Sequence, residues 1–576
     1  MKKIRWQLIT IFLTGLVVGI LLLADSSTGP IQVFETHPTT GGIYREGLVG
    51  EMQRLNPLLT WYNEVDDDVC RLIFSSLVTN DTRGNPVGDL AIDWGISADG
   101  TIYNFAINPA AQWHDGQPVT ADDVIFTYEM LKNGSGYIPE DILSFWSSVT
   151  INPVDAGTVQ FVLEEAFAPF LDYLNVGILP RHIYGNMSFE EMVDSKINIQ
   201  PVGSGIFRLK ELVQSNGKIT GVTLENNSSY HGKKAYLDEI QFTYYSDSGL
   251  AYQAYQQGLI DGISYISDDI LADVLREESI NLYTSRRPIQ SMIFFNLDNR
   301  SGEFLQSKEV RKALMMGINR ERIVSSILEG QGTIANSPIL YGNWAYTTEI
   351  TPIEYNPEKA VEILVREGFI LASEQEQVRT KEYSSVDGTT ERKALAFTLI
   401  YPDDDLHRKI SEQIQQDLGK INVLVNLQAA EDPADPNNKD LSYDWLVNHV
   451  LPDREYEAVL VDMNLSRYPD PDPYPFWDQT QISSGQNYVQ WNNKTISQYL
   501  ETARVETDRS ERARLYKNFQ ILFMDELPAI PLYNPVYNYP VSSKVSGVSI
   551  GPIYKSSDRF LNIAEWYMVS RSSVVE

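Results

Sequence analysis

One uncharged, largely apolar run over residues 8–24 decides where this chain can fold. Lys2, Lys3 and Arg5 precede it and a polar stretch from Asp25 follows, the pattern of an export signal or a membrane anchor. In both cases the positive flank stays cytoplasmic and everything after Asp25 faces outward. The run matches the shortest spanning helices, which take roughly 17–25 residues, and exceeds the roughly 7–15 residue core of a cleaved signal. No cysteine lies near its end, which excludes lipoprotein processing, and two leucines before Ala24 make a poor small-residue cleavage site. The expectation is an uncleaved anchor over 1–24, then a tether over 25–42 rich in Ser, Thr, Gly and Pro. No second run of this kind follows, so the rest must close around its own cores in water.

At 576 residues and 43% hydrophobic composition there is more than one core to build, because single cores stop growing at roughly 250–300 residues. Cys70 is the one cysteine, so no intrachain disulfide holds the fold. It sits in an apolar helical pattern with Val69, Leu72, Ile73 and Leu77 and reads as core rather than as a reactive thiol. With 46 basic against 77 acidic residues the formal charge is −31, which repels phosphate backbones and argues against nucleic acid as a partner.

From residue 43 the hydrophobic period alternates between two and 3.6, which predicts a mixed α/β protein without internal repeats. Strands are expected over 101–107, 158–163, 205–212, 239–245 and 291–297, and helices over 121–132, 308–328, 357–368, 405–420 and 510–525. Thr120, followed by Asp123, reads as a helix start in which the hydroxyl accepts from an early N–H. The charged stretch 372–393 and the Asp-Pro-rich stretch 429–439 read as solvated loops.

Motifs of chemistry are missing. There is no Walker loop, Rossmann fingerprint, His-Glu-x-x-His or serine nucleophile elbow. The six histidines are scattered. Of the acidic clusters 66–68, 403–405 and the pair Asp470 and Asp472, none has the glycine and distal glutamate of a calcium loop, and the first two read as helix starts or solvated turns. No metal and no cofactor are expected, and recognition rather than catalysis is the natural reading.

Residues 90–131, LAIDWGISADGTIYNFAINPAAQWHDGQPVTADDVIFTYEML, resemble the signature region of the family 5 extracellular solute-binding proteins, the peptide-, oligopeptide- and nickel-binding group. Trp94, Asp99-Gly100, Tyr103, Phe105, Trp113-His114-Asp115-Gly116 and Thr120-Ala121-Asp122-Asp123-Val124 match in order, which makes His114 a mark of the fold rather than a ligand or base. The likeness continues through PVGSGIFRLKE at Pro201, FFNLDN at Phe294, EVRKALMMGINRERIV at Glu309 and LPAIPLYNP at Leu527. It implies a two-lobed periplasmic-binding-protein-like fold of type II, built from three segments with an extra small domain. One lobe is expected from 43–65, 200–285 and 529–576, the extra domain from 66–199, and the other lobe from 286–528, with a small ligand enclosed between lobes by hinge closure.

The resemblance also implies the site. Peptide-binding members carry an aspartate, close to an Asp-Pro, that pairs with the peptide amine; aligning Asp470-Pro471 puts Arg467 at that place, where it suits an anion or a polyhydroxyl solute. A shift of three residues brings Asp470 there instead. Without the family context, Arg467 is a surface ion pair with Asp470 or Asp472. The strand from Ala458 is expected as an edge that adds main-chain hydrogen bonds to an extended ligand, with Met463 and Leu465 contributing backbone groups. Tyr468, Trp477 and Asn296 complete the candidate set. The expected role is the extracytoplasmic binding subunit of an ATP-driven importer, a monomer meeting permease subunits at the membrane. An anchored extracellular hydrolase and a tethered sensor are the competing readings.

Overall fold

The strand Ala529–Ser542 organises the molecule, because it runs through both halves of a twelve-stranded sheet. Its first residues pair with Ile289–Phe295 and its last with Ile280–Arg286, both antiparallel. The computed structural model that shows this describes Thr14 and residues 34–298, 302–373, 375–384, 390–435, 438–465 and 467–574. Two apolar clusters divide the strand: Ala529, Ile530, Leu532 and Tyr533 belong to one core, and Tyr537, Tyr539 and Val541 to the other. The chain therefore crosses between halves at 533–537 and again at 286–289, where Arg287 and Pro288 separate the two partner strands. The expected lobe boundary at 529 placed the whole strand on one side, whereas its first residues pack on the other.

The first half holds the parallel pairing of Ile43–Val49 with Glu239–Tyr245, extended by the hairpin Phe207–Ser215 and Lys218–Asn226. Its core is continuous with that of the 66–199 region, where a separate four-stranded antiparallel sheet runs in the order Ala91–Ile96, Ile102–Ile107, Thr158–Val162, Thr150–Asp155. The expected turn at Asp99-Gly100 closes this sheet's first hairpin, with Gly100 at φ +71°, a conformation costly to other residues. His114 is structural here: its Nδ1 accepts from the Gly203 N–H and its Nε2 donates to the Gly205 carbonyl, both at 3.2 Å. Burial drives its pKa down to about 4, so the ring is neutral and suited to that double role.

Several expectations change in detail. The 308–328 helix is Lys308–Gly317 only, because Ile318 turns extended and Asn319 caps a new turn by accepting from the Arg322 N–H. The 372–393 stretch contains the hairpin Thr380–Ser384 with Thr390–Ala394, and residue 34 onward of the expected tether is the strand Phe34–Thr39, paired with Val569–Val574. The expected anchor lies outside the described residues apart from Thr14, and no helix among the described residues is long and apolar enough to cross a membrane. The 66–68 cluster is the helix start expected of it, in the opening turns of Glu64–Ile73, with Asp66 and Asp68 buried. At the start of helix Ala121–Leu131 the Thr120 hydroxyl donates to Asp123, whose carboxylate also accepts from the Thr120 and Arg181 N–H groups. Asp123→Ala should therefore destabilise by about 1–3 kcal/mol in urea unfolding, more than the roughly 1 kcal/mol of a lost cap. A loss no larger than that of Thr120→Ala would show that the carboxylate is dispensable.

Candidate functional site

Where the halves meet, two cavities adjoin. The larger, about 730 Å³, lies chiefly between the first half and the 66–199 region, with Asn464 and Arg467 as the contribution of the second half. The smaller, about 390 Å³, runs from Val49, Ser264 and Tyr265 to the crossing residues Arg287–Ile289. Glu64, Asn464, Tyr554, Lys555 and Ser556 line both, so the two form one cleft.

One wall follows from the amphipathic helix Glu64–Ile73. Asn63 starts it by accepting from the Val65 and Asp66 N–H groups. Val65, Val69, Leu72 and Ile73 enter the core, while Glu64, Asp67 and Arg71, at i, i+3 and i+7, line the larger cavity. The Arg71 guanidinium is held by two neutral groups, Asn175 Oδ1 and Thr79 Oγ, each at 2.8 Å. The helix is pinned from below by Arg559, fully buried, which bonds Asp68 through both terminal nitrogens and Glu46 through Nε and Nη2. Tyr44 and Tyr539 donate their hydroxyls to the other oxygen of Glu46.

Arg467 lines the larger cavity, half-exposed, and its Nη1 lies 3.1 Å from each carboxylate oxygen of Asp141. The carboxylates that sequence spacing offered as surface partners are taken: Asp470 is buried against Arg512 at 2.7 Å, and Asp472 is bound by Arg504. The Asp470 N–H in turn donates to Asp172 of the 66–199 region at 3.0 Å. Tyr468 is buried against Tyr173, ring centroids 4.8 Å apart. These residues form the contact between the second half and the 66–199 region.

The other expected residues lie elsewhere. The strand Ala458–Asn464 is interior, with Ile289–Phe295 on one side and Ala396–Pro402 on the other. Only its residues beyond Val459 run past the second neighbour, and there the Tyr443 hydroxyl donates to the Asp462 carbonyl. The Met463 side chain is buried in the core and its backbone lies opposite Gln290 of the first neighbour, while the Leu465 N–H donates to the Pro288 carbonyl and so is not offered to a ligand. Trp477 packs on Phe294 and Phe523 within the core. Asn296 holds the Arg454 carbonyl and Gln490 at the far end of its strand, roughly 20 Å from Asn464 at about 3.3 Å per residue. It lines a separate cavity that shares no residue with the cleft. Among the described residues no group of three or more His, Cys, Asp or Glu is placed to hold a metal ion.

Sequence reading missed Glu64, Asp67, Arg71 and Lys555. A signal for the first three existed: their helical spacing opposite an apolar face. Lys555 sits in an irregular segment with no period to read.

Comparison with known proteins decides the family. The profile of the bacterial extracellular solute-binding proteins, family 5 Middle, matches residues 85–484. This chain belongs to that family. Among similar relatives of this solute-binding protein are the oligopeptide-binding protein AppA of Bacillus subtilis, 26% identical over 95% of both chains, and the dipeptide-binding protein of Escherichia coli, 25% identical over 81% of this chain and 84% of that one. The solved structure of AppA with a nonapeptide aligns with 92% of this chain and all of its own, at 25% identity and a TM-score of 0.64. HbpA2 from Haemophilus parasuis, at 21% identity, covers 93% of this chain and shares the fold with a TM-score of 0.76.

Proposed function

We infer that this protein is the extracytoplasmic substrate-binding component of an ABC importer, taking a peptide or related small solute between its lobes and presenting it to permease subunits. The observation that carries this reading is the cleft itself: two adjoining cavities, walled by both halves of the molecule, beside two chain crossings at 286–289 and 533–537 that can act as a hinge. Relatives named for oligopeptide and dipeptide binding favour a peptide. Catalysis has no part in this reading; the cleft is a place to hold a solute rather than to cleave one.

Arg467 supports a refinement, that the solute carries negative charge or many hydroxyls, because aligning Asp470-Pro471 with the family's Asp-Pro puts Arg467, rather than Asp470, at the position of the amine-binding aspartate. Its pairing with Asp141 links the second half to the 66–199 region beside the larger cavity. The anchored, monomeric state belongs to the same reading and is checked by intact mass and light scattering of detergent extracts.

Ligand-dependent stabilisation tests the function. The full chain in detergent should gain about 2.7 kcal/mol at a ligand concentration of 100 Kd, seen as a rise in Tm during a screen of peptides, oligosaccharides and metal chelates. Release of a product from any of them, abolished by substitution of one carboxylate, would replace the binding reading with a hydrolytic one.

A further inference from the structure

We propose that Arg71, with Lys555 as a second cation, is the anchor for a carboxylate carried by the ligand. The proposal rests on the binding function inferred above and names the chemistry of one end of the cleft.

Acids outnumber bases by 77 to 46 in this chain, so a cation has many chances to find a carboxylate. Arg467 has Asp141, Lys233 has Glu565, and Arg287 reaches Glu64. Among the described residues, Arg71 and Lys555 are the cations of the larger cavity with no carboxylate at ion-pair distance. Arg71 spends two of its five N–H donors on Asn175 and Thr79, which orient the guanidinium without neutralising it. The Lys555 ammonium lies over the Trp61 ring, 5.4 Å from its centroid.

The carboxylates nearby are committed to other donors. Asp67 accepts from the Thr60 and Ser557 hydroxyls. Asp89 accepts from His231, Tyr230 and the Ser76 N–H. Asp558, whose carboxyl burial pushes up in pKa against the partly offsetting charges of Arg71 and Lys555, accepts from the Tyr554 and Lys555 N–H groups. The wall also holds buried polar atoms without a partner, Asn80 Oδ1 and His231 Nδ1. A guanidinium with no carboxylate at ion-pair distance, oriented by neutral groups, is suited to receive a planar anion bidentately. The chain's net charge of −31 repels anions at long range, so a carboxylate ligand needs unpaired cations of this kind at short range.

The probes are a mixed tripeptide library with free C-terminal carboxylates and the same library as C-terminal amides, titrated calorimetrically into the full chain in detergent. The free acids should bind at least about tenfold more tightly than the amides. Arg71→Gln should weaken acid binding by roughly 30-fold or more, the loss expected when a charged partner in a desolvated pocket is removed, and leave amide binding within about threefold. Lys555→Gln should give a smaller loss with the same acid selectivity. A merely structural Arg71, acting through Asn175 and Thr79, would weaken acids and amides alike, and that result overturns the proposal. Equal binding of acids and amides by the unsubstituted chain also overturns it, whether or not Arg71→Gln folds. Binding of an oligosaccharide or metal chelate, with neither peptide library bound, would overturn the carboxylate anchor and leave the solute-binding function standing.

Discussion

Replacing Arg559 by methionine is expected to destabilise the first half by about 3–5 kcal/mol, the usual result of removing one partner from a buried ion cluster. The side chain is fully buried and answers two carboxylates, Glu46 and Asp68, that are themselves almost without exposure. Without it, two negative charges remain in a region that water does not reach, and they can relax only by taking up protons. The cluster joins the strand Ile43–Val49, the helix Glu64–Ile73 and the turn Ser556–Phe560, so ligand affinity should fall along with stability. Urea unfolding at neutral pH, followed by tryptophan fluorescence, measures the loss. Arg514→Met is the control: Arg514 forms an exposed i, i+3 pair with Glu511, for which about 0.5 kcal/mol or less is expected. Adding Glu46→Gln and Asp68→Asn to Arg559→Met should recover part of the loss. A loss below about 1 kcal/mol for Arg559→Met alone would mean that water reaches the cluster.

The fold was legible because its signals are local. The hairpin at Asp99-Gly100, the helix start at Asp404, which accepts from the His407 N–H, and the helix Pro357–Arg366 after Asn356 each follow from a few neighbouring residues. The binding region was less legible because its partners are distant in sequence: Arg467 meets Asp141, Asp470 meets Arg512 and Asp172, and Arg559 meets Glu46. No spacing rule connects such pairs. Trp477 shows the converse difficulty, since an aromatic residue beside a loop of prolines reads equally as pocket wall or as core, and only its packing on Phe294 and Phe523 places it. The strand Ala458–Asn464 opens on four apolar residues that are all buried, and its position in the sheet depends on Ala396–Pro402, some sixty residues earlier, lying beside it.

Raising the pH through about 8 should loosen the contact between the 66–199 region and the second half. Asp172 carries this prediction: its Oδ2 accepts from the Asp470 N–H, and its Oδ1 is buried without a partner. Burial first, and then the charge of Asp470, push its carboxyl up to about 8. Arg512 does not cancel this effect, because at 2.7 Å it serves Asp470. In the unfolded chain an aspartate releases its proton near about 3.9. The folded state thus keeps a proton that the unfolded state has lost, and the stabilisation is full below that value and lost as pH rises through about 8. At about 1.4 kcal/mol per unit of pKa difference the whole effect is on the order of several kcal/mol. His407 adds to it in the same direction. Burial lowers its pKa, but the hydrogen bond to Asp404 and the Asp462 carboxylate 3.2 Å from its Nε2 outweigh burial and hold it up to about 9, so its contribution is lost on the same alkaline side. Melting temperatures should therefore fall from about pH 4 to about pH 9, and Asp172→Asn, which cannot ionise, should flatten the part of the curve between about pH 4 and pH 8 while leaving the part due to His407, which lies between about 6.5 and 9. An unchanged slope in Asp172→Asn would assign the transition to another group. A fall in ligand affinity over the same pH range, absent in Asp172→Asn, would further show that this buried contact helps hold the cleft closed around its solute.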